Sequence, residues 1–202
     1  MILSNREIRE LALQTDAPMI QPFSEEQLQG ASYDVSLSGN LTVLKCIGSV
    51  IDPLDDKNIS DLYEKKSIGD DGYLLSPGEY VLAELNEMVN IPENLTAHLR
   101  PRTRFTRGGI QVADQHCNPT YKGILQVGLF NAGRNPFLLR RGLRVAQMVF
   151  EEMKSVPDED KLYKNKPDAV YHDETEFRSA KWSDEGQKLY SDVMRSFKKG
   201  DK

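Results

Sequence analysis

The chain has 202 residues, 39% of them hydrophobic and 28% charged, with a formal net charge of -5. That length holds one domain with trimmings, or two small ones, and buries a core without disulfides. No apolar run approaches the ~20 residues needed to cross a bilayer, and MILSNREIRE at the amino terminus has no secretory apolar region, so the expected location is cytoplasmic. Net acidity also argues against a general nucleic-acid binder, whose footprint is basic over the whole domain.

Ser4 and Glu7 have capping-box spacing, and Ile8, Leu11 and Ala12 then share one face of a short amphipathic helix that Pro18 ends. Tyr33, Val35 and Leu37 alternate with Asp34, Ser36 and Ser38, the period-two pattern of a half-buried strand. Ser38-Gly39-Asn40 predicts a turn before Leu41, Val43 and Leu44 resume the pattern. Residues 51–72 are polar and acidic, a surface excursion with a helical turn near Leu62 and Tyr63.

Pro77-Gly78 turns the chain into a strand through Tyr80, Leu82, Leu85 and Val89, which Pro92 stops. Short strands then follow at Thr96–Leu99, Ile110–Val112, Ile124–Phe130, Phe137–Leu139 and Arg144–Phe150. Closely spaced strands without intervening helices predict an all-β barrel or double-sheet fold. The domain is expected to span 1–153. Residues 154–202 then form a polar arm with Pro157 and Pro167, followed by a final helix capped by Ser183 and striped by Leu189, Val193, Met194 and Phe197. Gly186 weakens that helix, since an interior glycine costs ~1 kcal/mol relative to alanine.

Between Leu95 and Phe150 the charge reverses sign. The segment carries nine basic residues, eight of them arginine, and a single acid, Asp114. Arginine grips phosphate oxygens with a planar, two-pronged set of donors. The run Arg102-Thr103-Arg104-Phe105-Thr106-Arg107-Gly108-Gly109 mixes guanidinium forks, hydroxyls and a flexible turn, which favours an anion site over a merely solvated arginine face.

Cys117-Asn118-Pro119-Thr120-Tyr121-Lys122-Gly123 has the composition of a tight hairpin turn, for which a structural role suffices. Tyr121 is placed to stack on a sugar or base, or simply to pack. His116 follows Asp114 at same-face spacing, a weak acid–base signal, and His98 and His172 lack metal-ligand spacing. Cys46 and Cys117 make no disulfide framework or metal motif, and reduced, buried thiols are expected.

These residues resemble a known superfamily, the trimeric dUTPases and dCTP deaminases, from Met1 to about Phe150. The opening MILSNREI and IQPFSEEQLQGASYDVSLSGN are similar to the deaminase amino-terminal pattern. Leu99-Arg100-Pro101-Arg102-Thr103 with Arg107 resembles the arginine–hydroxyl motif, and Asn118-Pro119-Thr120-Tyr121-Lys122-Gly123 the nucleoside hairpin. Leu129-Phe130-Asn131 and Arg141 to Met148 resemble the closing motifs. The resemblance implies a distorted jelly-roll or β-clip fold, dUTPase-like, in a homotrimer with intersubunit sites for a pyrimidine deoxynucleoside triphosphate. Mg²⁺ would be held by the phosphates rather than by protein ligands.

Carried over residue by residue, Arg102, Thr103, Arg107 and Gln147 would bind phosphates, with Arg104 adding charge where the family has a hydroxyl. The backbone near Cys117 and Asn118 would read the base, and Tyr121 would pack on the deoxyribose. Two departures follow from the same comparison. Asn118 stands where dUTPases carry the water-activating aspartate, and Gly128 where dCTP deaminases carry the proton-shuttling glutamate. An amide orients water but hardly deprotonates it. Asp114 or an acid of the arm is then the available substitute, and Lys161, Lys164 and Lys166 are the arm's candidates to cover the site. Three readings stand: deamination of dCTP or hydrolysis of dUTP with an altered base, an inactive nucleotide-binding protein, or a trimeric module binding protein or nucleic acid.

Overall fold

A computed structural model describes residues 1–46, 48, 50, 51, 59–181 and 191. The anticipated carboxy-terminal helix and most of its stripe lie outside these residues. Helix α1 (Asn5–Ala12) starts where the Ser4 N–H donates to the Glu7 carboxylate at 2.7 Å, and it buries Ile8 and Ala12. The residues before it pair beside the last long strand: the Leu3 N–H donates to the Phe150 carbonyl at 2.9 Å.

The rest is built from antiparallel strands: β1 (Ile20–Gln21), β2 (Leu28–Gln29), β3 (Ser32–Leu44), β4 (Tyr63–Ser67), β5 (Tyr73–Leu75), β6 (Tyr80–Asn90) and β7 (Leu95–Pro101). After helix α2 (Thr103–Arg107) come β8 (Ile110–Val112), β9 (Gln115–Cys117), β10 (Lys122–Asn131), β11 (Phe137–Leu139) and β12 (Arg144–Glu152). The main sheet runs β8-β10-β6-β3-β12-β7-β9, with β1 on β6, β2 and β4 on β3, and β11 paired separately with β5. The mainly β, curled architecture agrees with the sequence expectation.

Strand β3 is the corner. Its first half, Tyr33 to Ser36, pairs with β12; its second half, from Leu37, pairs with β6, and the register breaks between Leu37 and Leu41. One strand thus passes from one layer to the other through a bulge, as sheet corners commonly do. The turn expected at Ser38-Gly39-Asn40 is therefore a bulge in a continuous strand. Gly39 has φ 125°, and a Cβ there would lie 2.6 Å from the Arg141 Nε, so the guanidinium crosses the bulge only over a glycine.

Between the layers sit fully enclosed side chains such as Tyr33, Leu37, Leu85 and Phe150, each contributing about 1.5–3 kcal/mol by leaving water. Burial pushes the Tyr33 phenol up to about 12, and its hydroxyl accepts the Ser24 N–H at 2.9 Å. A carboxylate is equally enclosed: Glu87 accepts from the Gln27 side-chain amide, the Ser36 hydroxyl and the Ser36 N–H at 2.7–2.8 Å. Three donors satisfy it without a cation. Among the described residues no helix is long and apolar enough to span a membrane.

Candidate functional site

The expected site residues fall into two places. One is a groove of about 610 Å³ lined by Asp34, Arg102, Arg104, Leu143 and Arg144. The run from Thr103 to Arg107, read from sequence as arginines and hydroxyls leading into a flexible turn, is the short helix α2, whose Phe105 is buried against Phe137 with ring centroids 5.6 Å apart. That anchor leaves Thr103, Arg104 and Arg107 exposed on the outer face.

Arg102, just before α2, turns inward. Its guanidinium lies 3.2 Å from the Asp34 carboxylate on β3, with the Asp34 side chain 2% and the Arg102 side chain 21% exposed. Burial holds the Asp34 carboxyl above its ordinary value, while Arg102, Arg144 and Arg104 draw it back down. Arg144 is likewise engaged, donating to the Glu26 carbonyl at 2.7 Å. Arg104 and Arg107 form no ion pair among the described residues. Gln147 lies on β12 opposite Asp34 on one side and Arg100 on the other, half-buried, and does not line the groove.

The second place is the hairpin. A cavity of about 420 Å³ is lined by Gln115, His116, Asn118, Tyr121 and Gln126 from β9, β10 and the turn joining them. Cys117 is buried beside it, which pushes its thiol up to about 12. Thr120 closes the turn at φ 63°, a left-handed conformation that costs a β-branched residue strain. His116 is held below the ordinary imidazole value first by desolvation and then by the His98 ring, whose centroid lies 5.0 Å away. Asp114 does not join it. That carboxylate is exposed and bonded to Arg100 at 2.9 Å, away from the cavity lining.

Beside Tyr63 on β4 and Leu82 on β6, the cavity's remaining wall comes from the arm. The Tyr163 N–H donates to the Pro119 carbonyl at 3.0 Å, the Lys164 N–H to the Thr120 hydroxyl at 3.0 Å, and the Asp173 N–H to the Lys122 carbonyl at 2.8 Å. The Ile124 N–H in turn donates to the Glu174 carbonyl at 2.7 Å. Gly123 permits this approach, since a Cβ there would meet the Tyr121 hydroxyl at 2.9 Å and the Glu174 carbonyl at 3.0 Å. Arg178 locks the arm's own turn by donating to the carbonyls of Val170, His172 and Asp173 at 2.7–3.1 Å. The arm thereby adds Tyr163, Tyr171, Glu174 and Phe177 to the cavity; Lys161, Lys164 and Lys166 do not line it. Sequence reading had singled out the lysines, whereas the usable signal was the aromatics spaced along a polar arm.

Residues 2–153 match the family model described as dCTP deaminase-like. The chain belongs to the dCTP deaminase-like family. It is 32% identical over 157 residues to "dCTP deaminase, dUMP-forming" of Methanobrevibacter smithii, covering 75% of this chain and 80% of that relative. The protein of the same description from Nanoarchaeum equitans is 29% identical over 200 residues, covering 91% and 99%, so that match reaches into the arm. Among solved structures, a 2'-deoxycytidine 5'-triphosphate deaminase from Agrobacterium tumefaciens superposes with a TM-score of 0.60 at 20% identity. It covers 75% of this chain but 48% of that one, so this chain spans about half the solved deaminase's length, and the likeness is one of fold.

Family membership sharpens the question at Gly128. This residue lies on β10 opposite Leu82, one diagonal step from Tyr80 on β6. Tyr80 folds across it: a Cβ on Gly128 would lie 2.2 Å from the phenol oxygen and 2.8 Å from the ring carbon that carries it. An aromatic laid over a cross-strand glycine supplies the packing the glycine lacks. The volume that a glutamate side chain would enter is therefore already filled, and burial raises the pKa of the phenol that fills it. Around it, Pro101, Val112, Ala113 and Phe130 line an apolar recess without a carboxylate among its described residues.

Proposed function

We propose that this protein binds and converts a pyrimidine deoxynucleoside triphosphate, by deamination of dCTP or hydrolysis of dUTP, with an altered catalytic base and with Asn118 at the position that orients the attacking water. The observation that supports this best is the hairpin cavity, aromatic and edged with amides. A few hundred Å³ with a small set of convergent polar groups suits a nucleoside. In this reading Tyr121 packs on the deoxyribose, while the backbone around Cys117 and Asn118 reads the base. Arg102, Thr103, Arg104, Arg107 and Gln147 take the phosphates.

Arg102 and Tyr121 line two different cavities, which have no lining residue in common among the described residues. The reading therefore requires a second copy of the chain to bring an arginine groove to each hairpin, as in a homotrimer. Magnesium would travel with the triphosphate: three arginines around one buried, ion-paired carboxylate offer no set of oxygen ligands for a hard cation. A cytoplasmic protein of nucleotide metabolism fits these features.

Tyr80 over Gly128 favours a second reading, in which the protein binds the nucleotide without turning it over. Purified protein incubated with dCTP, dUTP, dTTP and the ribonucleotides plus Mg²⁺ separates the two. Ammonia release marks deamination and pyrophosphate release marks hydrolysis. Thermal stabilisation without product marks binding alone, because a ligand selective for the native state raises its stability. No stabilisation by any nucleotide rejects both readings, and a monomeric mass in solution rejects the shared site.

A further inference from the structure

The hairpin cavity contains a carboxyl group that the arginine and hairpin motifs do not account for. Glu174 is 4% exposed and is the one acid among the described residues lining that cavity. It is brought there by backbone pairing: its carbonyl accepts the Ile124 N–H, and its residue bridges Gly123. One side-chain oxygen, Oε1, accepts the Arg178 N–H at 2.8 Å. No other hydrogen bond reaches that carboxyl from the described residues. With one oxygen held by the Arg178 N–H, the carboxyl keeps acceptor capacity that a donor in the cavity can take up. Burial raises its pKa, against the pull of Arg178.

We propose that Glu174 is a specificity-determining residue of the hairpin cavity, whose carboxyl accepts a hydrogen bond from a donor on the bound nucleoside. The inference rests on the nucleotide-binding reading above and names the group that reads the ligand. Two donors of a pyrimidine deoxynucleotide have this chemistry: the exocyclic amine of cytosine, which uracil replaces with an acceptor, and the 3′-hydroxyl of the sugar. Glutamate suits either, because an ionised carboxylate only accepts, whereas an amide both accepts and donates. Of the neighbouring amides, Asn118 and Gln126 can donate as well as accept, whereas Gln115 spends its N–H on the Gln126 carbonyl at 2.6 Å and leaves its own oxygen free among the described residues, an uncharged acceptor beside the Glu174 carboxyl.

The test measures the affinities of dCTP, dUTP and 2′,3′-dideoxy-CTP for the wild type and for Glu174→Gln by calorimetry, on the full chain in its solution assembly. Glutamine keeps an oxygen for the Arg178 N–H, so the arm stays docked, and an unchanged melting temperature of the free variant verifies this. A charge-assisted hydrogen bond is worth roughly 1.5–3 kcal/mol, so its loss weakens binding about tenfold or more. If the donor is the amine, Glu174→Gln loses the preference for dCTP over dUTP and keeps that for dCTP over the dideoxynucleotide. If it is the hydroxyl, the pattern reverses. Equal affinities of variant and wild type for all three overturn the assignment while leaving nucleotide binding intact. A wild type that binds none of them overturns the underlying reading and the assignment with it.

Discussion

Around the arginine groove, Arg102 reaches a buried carboxylate on another strand, so the groove is braced by an ion pair that belongs to the core. Around the hairpin cavity, Arg178 reaches only carbonyls of its own arm, and the arm is tied to the hairpin by backbone bonds at its edge. The first brace can fail only if the fold is disturbed. The second can open while the sheet stays intact, because local regions rich in exposed backbone bonds unfold at lower cost than the core. A charged groove that is fixed and an aromatic cavity that can be released suit two halves of one ligand: phosphates that must meet fixed donors, and a nucleoside that must enter and leave.

Breaking the fixed brace has the largest expected effect. Arg102→Ala leaves Asp34 buried without its nearest cation. Removing one partner of a fully enclosed pair costs about 3–5 kcal/mol, and the partial exposure of Arg102 reduces this to about 2–3 kcal/mol at neutral pH. The sign with pH follows from Asp34, whose folded-state carboxyl lies above 3.8. The native state then holds a proton that the unfolded state has lost, so stability falls as pH rises through the folded pKa. Loss of Arg102 raises that pKa further. Urea titrations should show the gap between variant and wild type widening above the carboxylate range and closing below pH 3.8, where Asp34 is protonated in both states. A gap that does not change with pH would remove Asp34 from the account.

Gly128→Glu probes the recess that neither region fills. The new side chain displaces the Tyr80 ring, which is 36% exposed and has room to swing outward, so an overpacking cost near the low end of about 1–3 kcal/mol is expected. Tyr80→Ala paired with Gly128→Glu should recover part of it, a coupling that a double-mutant cycle on melting temperature reads directly. Additive effects would mean that Tyr80 does not hold that volume.

How much of this could be read in the sequence depends on the range over which each feature is encoded. Strands β6 and β12 carry their alternation locally, and Pro77-Gly78 and Arg141-Gly142 punctuate them, so their placement needed nothing else. Helix α2 was missed because its five residues hold one apolar side chain, Phe105, too few to set a period. Gly39 looked like a turn because Arg141, the reason for the glycine, lies a hundred residues away in sequence. Tyr80 over Gly128 depends on strand register, and Glu174 on a pairing across roughly fifty residues. The resemblance to the deaminase and dUTPase motifs pointed to positions 118 and 128 as places where an acid was expected. Only the packing showed that Tyr80 fills one of those places and that the arm brings a different acid to the hairpin.

Releasing the second brace should be visible locally before it is visible globally. Arg178→Ala removes three bonds from an exposed guanidinium to the arm's turn. Hydrogen exchange of the Ile124 and Asp173 amides should accelerate about tenfold, the equivalent of about 1.4 kcal/mol of local opening. The core amides of β6 and β12 should not change. Acceleration spread evenly over the sheet would show that arm and barrel open as one unit, and the contrast between the two braces would then be wrong.

The smallest structural effect belongs to the residues with the most direct expected contact with ligand. Arg104 and Arg107 project from α2 without ion pairs among the described residues, so replacing both with alanine should change stability by no more than about 0.5 kcal/mol. If they grip the triphosphate, the same change should weaken nucleotide binding at least tenfold and flatten its dependence on salt, because screening acts on exposed charges. Affinity for the nucleoside without phosphates should stay as it was. Arg102→Ala lowers both stability and binding and so cannot separate scaffold from grip; the double variant at 104 and 107 can. Unchanged triphosphate affinity in that variant would assign the phosphate role to the fixed, inward-facing arginine alone and leave the exposed pair as surface charge.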